Sequence, residues 1–426
     1  MDDPKVLERM RADWNARAGE DAYYYVAFGR REQDDEEFFA TGSDTVRILT
    51  AELKRLDARD AALEIGCGPG RLMRPMSRHF GEIHGVDVSD EMVRLARERL
   101  RGTSNAHVHH SSGSDLAAFP AEKFDFVYSY AVFQHIPSRE VVFNYLREAR
   151  RVLKTGGILR CQINGLPATA RQYDTWSGVR ISAEEIARFA RENDWQLLAL
   201  EQARTQYMWI TCRKRPQGWD RSLRPAQAKI RTIGNAFSGE AAAPASGVMA
   251  AVSLWIEGLP PDCDLNHLEI TADGKACTAI FIGEPEADGV SQVNAGLPEG
   301  IRTGLIPIEV NRAGVSLCET GWVRVIPAPP NVPRITAISD GVNLLSGTRI
   351  VTGTVKITMA NTEHPERFVA RVDTHGVTDL EDFCTDPAML RYEFNLRLPK
   401  EVAPGPHNLW ITMGRREFPP IGIEVA

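Results

Sequence analysis

The sequence predicts an α/β domain built on a parallel sheet, followed by all-β sandwich domains. Three observations carry this reading. Up to about residue 215, short apolar runs alternate with segments of helical period. After residue 230 the helical period stops and strand-sized runs take over. Between them and within the second half lie joints, the clearest being VIPAPPNVPRI at residues 325–335, with four prolines.

The elements follow in order. AALEIGC, IHGVDV, FDFVYSY and GGILRCQI are strand-like. EMVRLARERL and VVFNYLREARRVL are helical, the second placing Val142, Tyr145, Leu146 and Ala149 on one face. SAEEIARFARENDW opens with Ser182 and Glu185 at capping-box spacing, so a helix starts there. WQLLALEQA and YMWITCRK have no helix between them and read as an antiparallel hairpin closing the sheet edge. Farther on, GTVKITMAN alternates, with Val355, Ile357 and Met359 on one face and Lys356 and Thr358 on the other. The boundaries expected are an N-terminal helical segment at 1–45, the α/β domain at 46–215 and a linker at 216–230. Two sandwiches follow, at 231–327 and 328–426. An α/β domain ending near 215 is expected to fold alone. The stretch 213–231 has seven basic residues against Asp220 and reads as a solvated connector, or else as a docking strip for an anionic partner.

Composition excludes several classes. A formal net charge of −7 argues against a nucleic-acid-binding protein. The first residues lack a secretory signal and no apolar run reaches membrane-spanning length, so a cytoplasmic location and no membrane partner are expected. Seven scattered cysteines without a CxxC pair fit reduced thiols, with no metal site.

The stretch ALEIGCGPGRLMRPM carries the chemistry. A dinucleotide turn needs G-x-G-x-x-G, but the third glycine position holds Arg71. The glycines instead fall at Gly66, Gly68 and Gly70, with Glu64 ahead of them. A carboxylate at the strand end repels pyrophosphate and attracts an ammonium or sulfonium. Asp87 ends the next strand, 87 − 66 = 21 residues past Gly66, where a carboxylate can accept from ribose hydroxyls. Together these call for a nucleoside with a cationic tail.

Five motifs in order, LEIGCGPG, GVDVSDEMVRLARERL, GSDLAAFP, KFDFVYSYAVFQHIP and LKTGGILRCQI, resemble the class I S-adenosylmethionine-dependent methyltransferases over roughly residues 45–213. The resemblance implies a Rossmann-like, seven-stranded methyltransferase sheet. It implies that Glu64, Gly66, Gly68 and Gly70 frame the methionine part of S-adenosylmethionine, whose product is S-adenosylhomocysteine. Asp87 would hold the ribose, Val88 and Met92 would flank the adenine, and Asp115 and Leu116 would meet its amino edge. Tyr130 would stand near the sulfonium. Asp87 also reads as a helix cap, Asp115 as a turn residue and Met92 as plain core.

His135 is the base expected if the acceptor must lose a proton, or else a structural histidine; His109 and His110 read as structural or exposed. The resemblance pairs His135 with a tyrosine ahead of the first strand. Tyr24 is taken as that partner, with Tyr23 and Tyr25 against substrate and the choice among the three open. Tyr173 and Trp176 would line the other side. An aromatic pocket suits a small-molecule or glycan acceptor methylated on oxygen or nitrogen. The C-terminal half resembles immunoglobulin-like domains of the plexin and transcription-factor type. It implies a homodimer contact or a partner-enzyme dock. A non-catalytic, cofactor-sensing scaffold is the alternative reading.

Overall fold

The structure, a computed structural model, describes residues 4–27, 34–166, 168, 173–222, 227–328, 331–341, 347–386 and 390–426. They fall into two compact units, the first reaching residue 326 and the second made of residues 327–426 together with 247–249.

The first unit begins with helices α1 (Pro4–Ala27) and α2 (Asp35–Thr50). Then come β1 (Ala61–Ile65), α3 (Met73–Met76), β2 (Glu82–Asp87), α4 (Asp90–Arg99), β3 (Ala106–His110) and β4 (Phe124–Ser129). Helix α5 (Arg139–Val152), β5 (Leu153–Ile163), α6 (Ala183–Glu192), β6 (Trp195–Glu201) and β7 (Met208–Lys214) complete the α/β part. The strand order is β3-β2-β1-β4-β5-β7-β6. Strands β1 to β5 pair in parallel, and β7 runs antiparallel to both β5 and β6.

Local chemistry explains the starts of the helices. Ser89 and Ser138 cap α4 and α5 by accepting from the N–H of Met92 and Val141. Ser182 and Glu185 form the capping box that their spacing predicted. Strands β1 and β4 are buried along their whole length, as strands covered on both faces must be. The strand order reverses between β1 and β4. Ligand crevices open at that switch point, beyond the carboxyl ends of the strands.

The hairpin β6–β7 forms, but it does not close the sheet edge. Ala199 of β6 pairs with Phe281 of strand Thr278–Ile282. Strands Val290–Gly296, Ala251–Glu257 and Lys229–Asn235 follow, making an eleven-stranded sheet. An exposed outer edge of β6 would present unpaired N–H and C=O groups, and this junction covers it. Side chains bind it further. Gln196 donates to the carbonyls of Pro261 and Cys263 at 2.9 and 2.7 Å. Arg55, whose side chain is 1% exposed, reaches Glu284 at 2.9 Å and the Ile282 carbonyl at 2.8 Å. Arg213 meets the same Glu284 at 2.7 Å.

Two further expectations change. Arg213, Lys214 and Arg215 are not a solvated connector: Lys214 donates to the Leu153 carbonyl at 2.7 Å, and Arg215 to the Pro261 carbonyl at 2.7 Å. Helix α2 also runs through residue 45 without a break.

The eleven-stranded sheet shares a core with a second sheet that includes strands Leu268–Ala272, Gly304–Arg312 and Gly321–Ile326. Val252, Leu254 and Ile256 meet Ile270, Ile306 and Val323 in that core. In the second unit, strands Thr354–Ala360 and Arg391–Arg397 of one sheet share a core with Phe368–Val372, Gly405–Met413 and Ile421–Val425 of another. Val355, Ile357 and Met359 face inward there, as their alternation predicted.

The junction gives a test. A chain ending at residue 215 should melt below one ending at residue 326 in calorimetry, because β6 loses its outer partner. Glu284→Ala should cost about 1–3 kcal/mol in urea unfolding, the penalty for stripping a buried donor of its acceptor. Equal melting of the two truncated chains would mean that the β6 junction contributes nothing.

Candidate functional site

The carboxyl ends of β1, β2 and β4 open into a cleft of about 890 Å³, measured out to its solvent mouth. Its floor is the turn after β1. Gly66 has φ +74°, and a Cβ there would lie 2.4 Å from Val132, so only glycine lets the two loops touch. Asp87 holds the turn from β2: its carboxylate accepts from the Gly68 N–H and the Ser89 N–H, each at 2.9 Å. Ser89, not Asp87, is the cap of α4.

Burial sets the charges. Glu64 is 3% exposed, and desolvation pushes its carboxyl up to about 8, against the hydrogen bond from Tyr128 at 2.9 Å and the attraction of Arg71. Asp87 is raised by burial too, although backbone N–H groups oppose it. Arg71 is 6% exposed, and burial lowers it. Its guanidinium donates to the Thr41 carbonyl at 3.2 Å and lies 5.5 Å from the Tyr130 ring centre. Its Nε has no hydrogen-bond partner, and no salt bridge joins it to a carboxylate among the described residues.

Helix α1 forms one wall. Arg11 pairs with Asp90 at 2.6 Å, and Asn15 accepts from the Ser89 hydroxyl at 2.7 Å. Arg17 donates to the Thr175 carbonyl at 3.1 Å, tying the helix to the loop after β5. The helix breaks at Asp21, where the backbone is extended and the carboxylate accepts from the Tyr24 N–H at 3.0 Å. Tyr23 and Tyr25, two positions apart, then lie on opposite faces of the following turn. Tyr25 lines the cleft, its hydroxyl donating to Glu20 at 2.7 Å. Tyr23 stacks on Phe38 with ring centres 3.9 Å apart and bonds Asp35 and Arg99.

His135 is buried in the lining of the cleft, its ring edge-on to Trp14 at 5.4 Å. Its Nδ1–H donates to the Trp176 carbonyl at 3.0 Å, which leaves Nε2 as the basic nitrogen. Burial lowers its pKa to about 4, outweighing that bond.

The cleft therefore gathers Glu64, Gly66, Gly68, Asp87, Val88, Met92, Tyr130, His135 and Tyr25. It does not gather the rest. Tyr24 packs edge-on against Tyr25, 5.2 Å between ring centres, and does not line the cleft. Gly70 turns toward Leu100. Asp115 accepts from the Ser112 hydroxyl and the Ala117 N–H within its own turn, and Leu116 is core. Ser111 and Gly113 line the wall expected of those two. Tyr173 packs on the core, and Trp176 contributes its carbonyl to His135 while its side chain is 40% exposed. Sequence reasoning missed Met10, Ala131 and Val132, and it used Arg71 only to exclude a dinucleotide turn.

Comparison with known proteins bears on this site. Residues 63–161 match a family described as a methyltransferase domain. Those 99 residues, under a quarter of the 426, are the part of the chain similar to that family. Curated relatives of this domain include a trans-aconitate 2-methyltransferase from Afipia carboxidovorans, 36% identical over 121 residues, or 28% of this chain and 43% of that protein. Phosphoethanolamine N-methyltransferase 2 from Caenorhabditis elegans is 37% identical over 97 residues, 22% of each chain. A ubiquinone biosynthesis O-methyltransferase from Xanthomonas oryzae is 31% identical over 137 residues, 32% of this chain and 54% of that protein. The chain thus spans about half or less of the length of these relatives. The domain match covers β1 to β5 and hence the glycine turn, Asp87 and His135. No helix among the described residues is long and apolar enough to cross a membrane.

His135 makes a stability forecast. Its folded-state pKa, about 4, lies below the ordinary 6.5, so the unfolded chain binds the extra proton between these values. Stability should fall as pH drops from 6.5 toward 4. Urea unfolding of His135→Gln should show a shallower fall than the wild type over that window; parallel curves would place the imidazole in water.

Proposed function

We propose that this protein is an S-adenosylmethionine-dependent methyltransferase acting on a small-molecule acceptor. The observation that carries the reading is the buried Glu64 at the end of β1, beside a glycine turn and Asp87 and without a phosphate-binding third glycine. The residues fit the donor. Glu64 suits an ammonium, Asp87 a ribose and Val88 with Met92 an adenine face. Arg71, whose Nε has no hydrogen-bond partner among the described residues, suits a carboxylate, the other end of the same amino acid. S-adenosylmethionine, when bound, supplies a methyl group already activated on a sulfonium.

The protein's own work is alignment and exclusion of water. Helix α1, clamped to α4 and to the Thr175 loop, covers the cleft. Tyr25, Trp14 and His135 border the acceptor side. The Trp176 carbonyl holds His135 in the tautomer whose Nε2 can accept a proton from a hydroxyl or amine. A carboxylate acceptor would need no such step, so the accepting atom decides whether His135 is a base. The relatives named above act on both oxygen and nitrogen, and a glycan acceptor rests on the aromatic wall alone. The sandwich layers, read as immunoglobulin-like, would serve a homodimer contact or a partner dock.

Calorimetry with S-adenosylhomocysteine tests the reading. Binding should exceed that of NAD, and Asp87→Ala should cost about 1.5–3 kcal/mol of it. With Glu64 at about 8 in the free protein, the cation-binding carboxylate becomes populated as pH rises. Affinity should therefore climb from pH 6.5 to 8, with proton release on binding, and lose this slope in Glu64→Gln. Tighter binding of NAD would sink the proposal. Once the acceptor is known, His135→Ala should lower turnover roughly 10²–10⁴-fold for a hydroxyl or amine acceptor. The wild-type rate should stay level down to about pH 5, because the imidazole is protonated only near 4.

A further inference from the structure

Away from the cleft, three histidines share one face of the sheet at its β3 end. His84 of β2 pairs in register with His107 of β3, and Val86 with His109. Paired residues of parallel strands point the same way, so the AHVHH of β3 sets His107 and His109 beside His84. Glu82, two residues before His84, completes the face. The His84 Nε2 lies 3.1 Å from the Glu82 carboxylate, and its ring centre lies 4.9 Å from that of His107. One ligand atom from each of Glu82, His84 and His107 falls within 4.8 Å of the others.

We propose that Glu82, His84 and His107 bind a borderline-soft divalent transition-metal ion of the zinc type. The donor set, two imidazoles and a carboxylate, suits such an ion, and a fourth position remains for water. Its supporting shell is present. The His84 Nδ1 lies 3.1 Å from the His109 Nε2, so His84 can donate there and direct its Nε2 lone pair at the metal. Bonds of about 2 Å require the donors to close inward. Glu82, with a side chain 54% exposed, and the exposed His107 are free to do so, while His84 is fixed by burial. A cation already stands there: the Lys123 ammonium lies 3.0 Å from the His84 Nε2 and 3.9 Å from Glu82. The metal must displace it, and the partly exposed lysine stem can swing outward. The sequence hides this site because its ligands come from two strands that meet only in the sheet.

The test uses tag-free, full-length protein with Zn²⁺ alone, followed by equilibrium dialysis, and with Co²⁺ followed by visible absorption. One equivalent should bind. His107→Ala, at an exposed position, should weaken binding at least tenfold without lowering the melting temperature of the metal-free protein. His109→Ala should weaken it roughly 10–100-fold. Lys123→Met should strengthen it by removing the competing charge. No Zn²⁺ retained by the wild type, or equal retention by wild type, His107→Ala and Lys123→Met, would overturn the proposal.

Discussion

A carboxyl group buried at the end of β1 sets the terms for the rest of the site. Glu64 is walled off from water by the sheet, and an ionised carboxylate there is costly unless a cation meets it. Tyr128, on the neighbouring β4, satisfies one oxygen, and the Arg71 guanidinium adds attraction. The free protein therefore holds this group in its neutral form near pH 7, and a positively charged ligand is what makes ionisation favourable. Selectivity follows from the same cost. A pyrophosphate would meet Glu64 and Asp87 together, whereas an ammonium or sulfonium relieves both.

The glycine turn and Asp87 act as one device. The turn must cross close to Val132, which forbids a side chain at Gly66, and its N–H groups need an acceptor. Asp87 provides one to Gly68 and thereby fixes β2 against the loop of β1. The Asp87 carboxylate is thus aimed into the cleft by the backbone it supports. This explains why the two motifs were legible together in the sequence: both are short, local and tied to strand ends. Helix starts at Ser89, Ser138 and Ser182 were legible for the same reason.

What the sequence hid depends on tertiary contact. The three tyrosines of α1 look equivalent in DAYYYVAFG, and only the break at Asp21 turns Tyr25 toward the cleft and Tyr23 toward Phe38. Asp115 sits in the expected loop, but its carboxylate is consumed by that loop's own turn. The junction beyond β6 was invisible because it rests on one long-range strand pairing and on Glu284, far along the chain from Arg55 and Arg213. Composition shifts at residue 215 marked a change of secondary structure and were read as a change of domain. The two coincide only when the last strand keeps a free edge.

The end of β4 shows how the site holds its geometry against local preference. Ala131 has φ +55°, a left-handed conformation unfavourable for a residue with a side chain. It is retained because its N–H donates to the Gln162 side chain of β5 at 3.2 Å and because its neighbours are fixed. Tyr130 before it lies beside the Arg71 guanidinium and Trp209, and Val132 after it packs on Gly66. A relaxed backbone at Ala131 would move Tyr130 and Val132, and with them one wall of the cleft. Strain held by surrounding contacts is a common feature of working sites. Here it joins the wall at Tyr130 to the glycine turn at Gly66, through Val132, so that neither can shift alone.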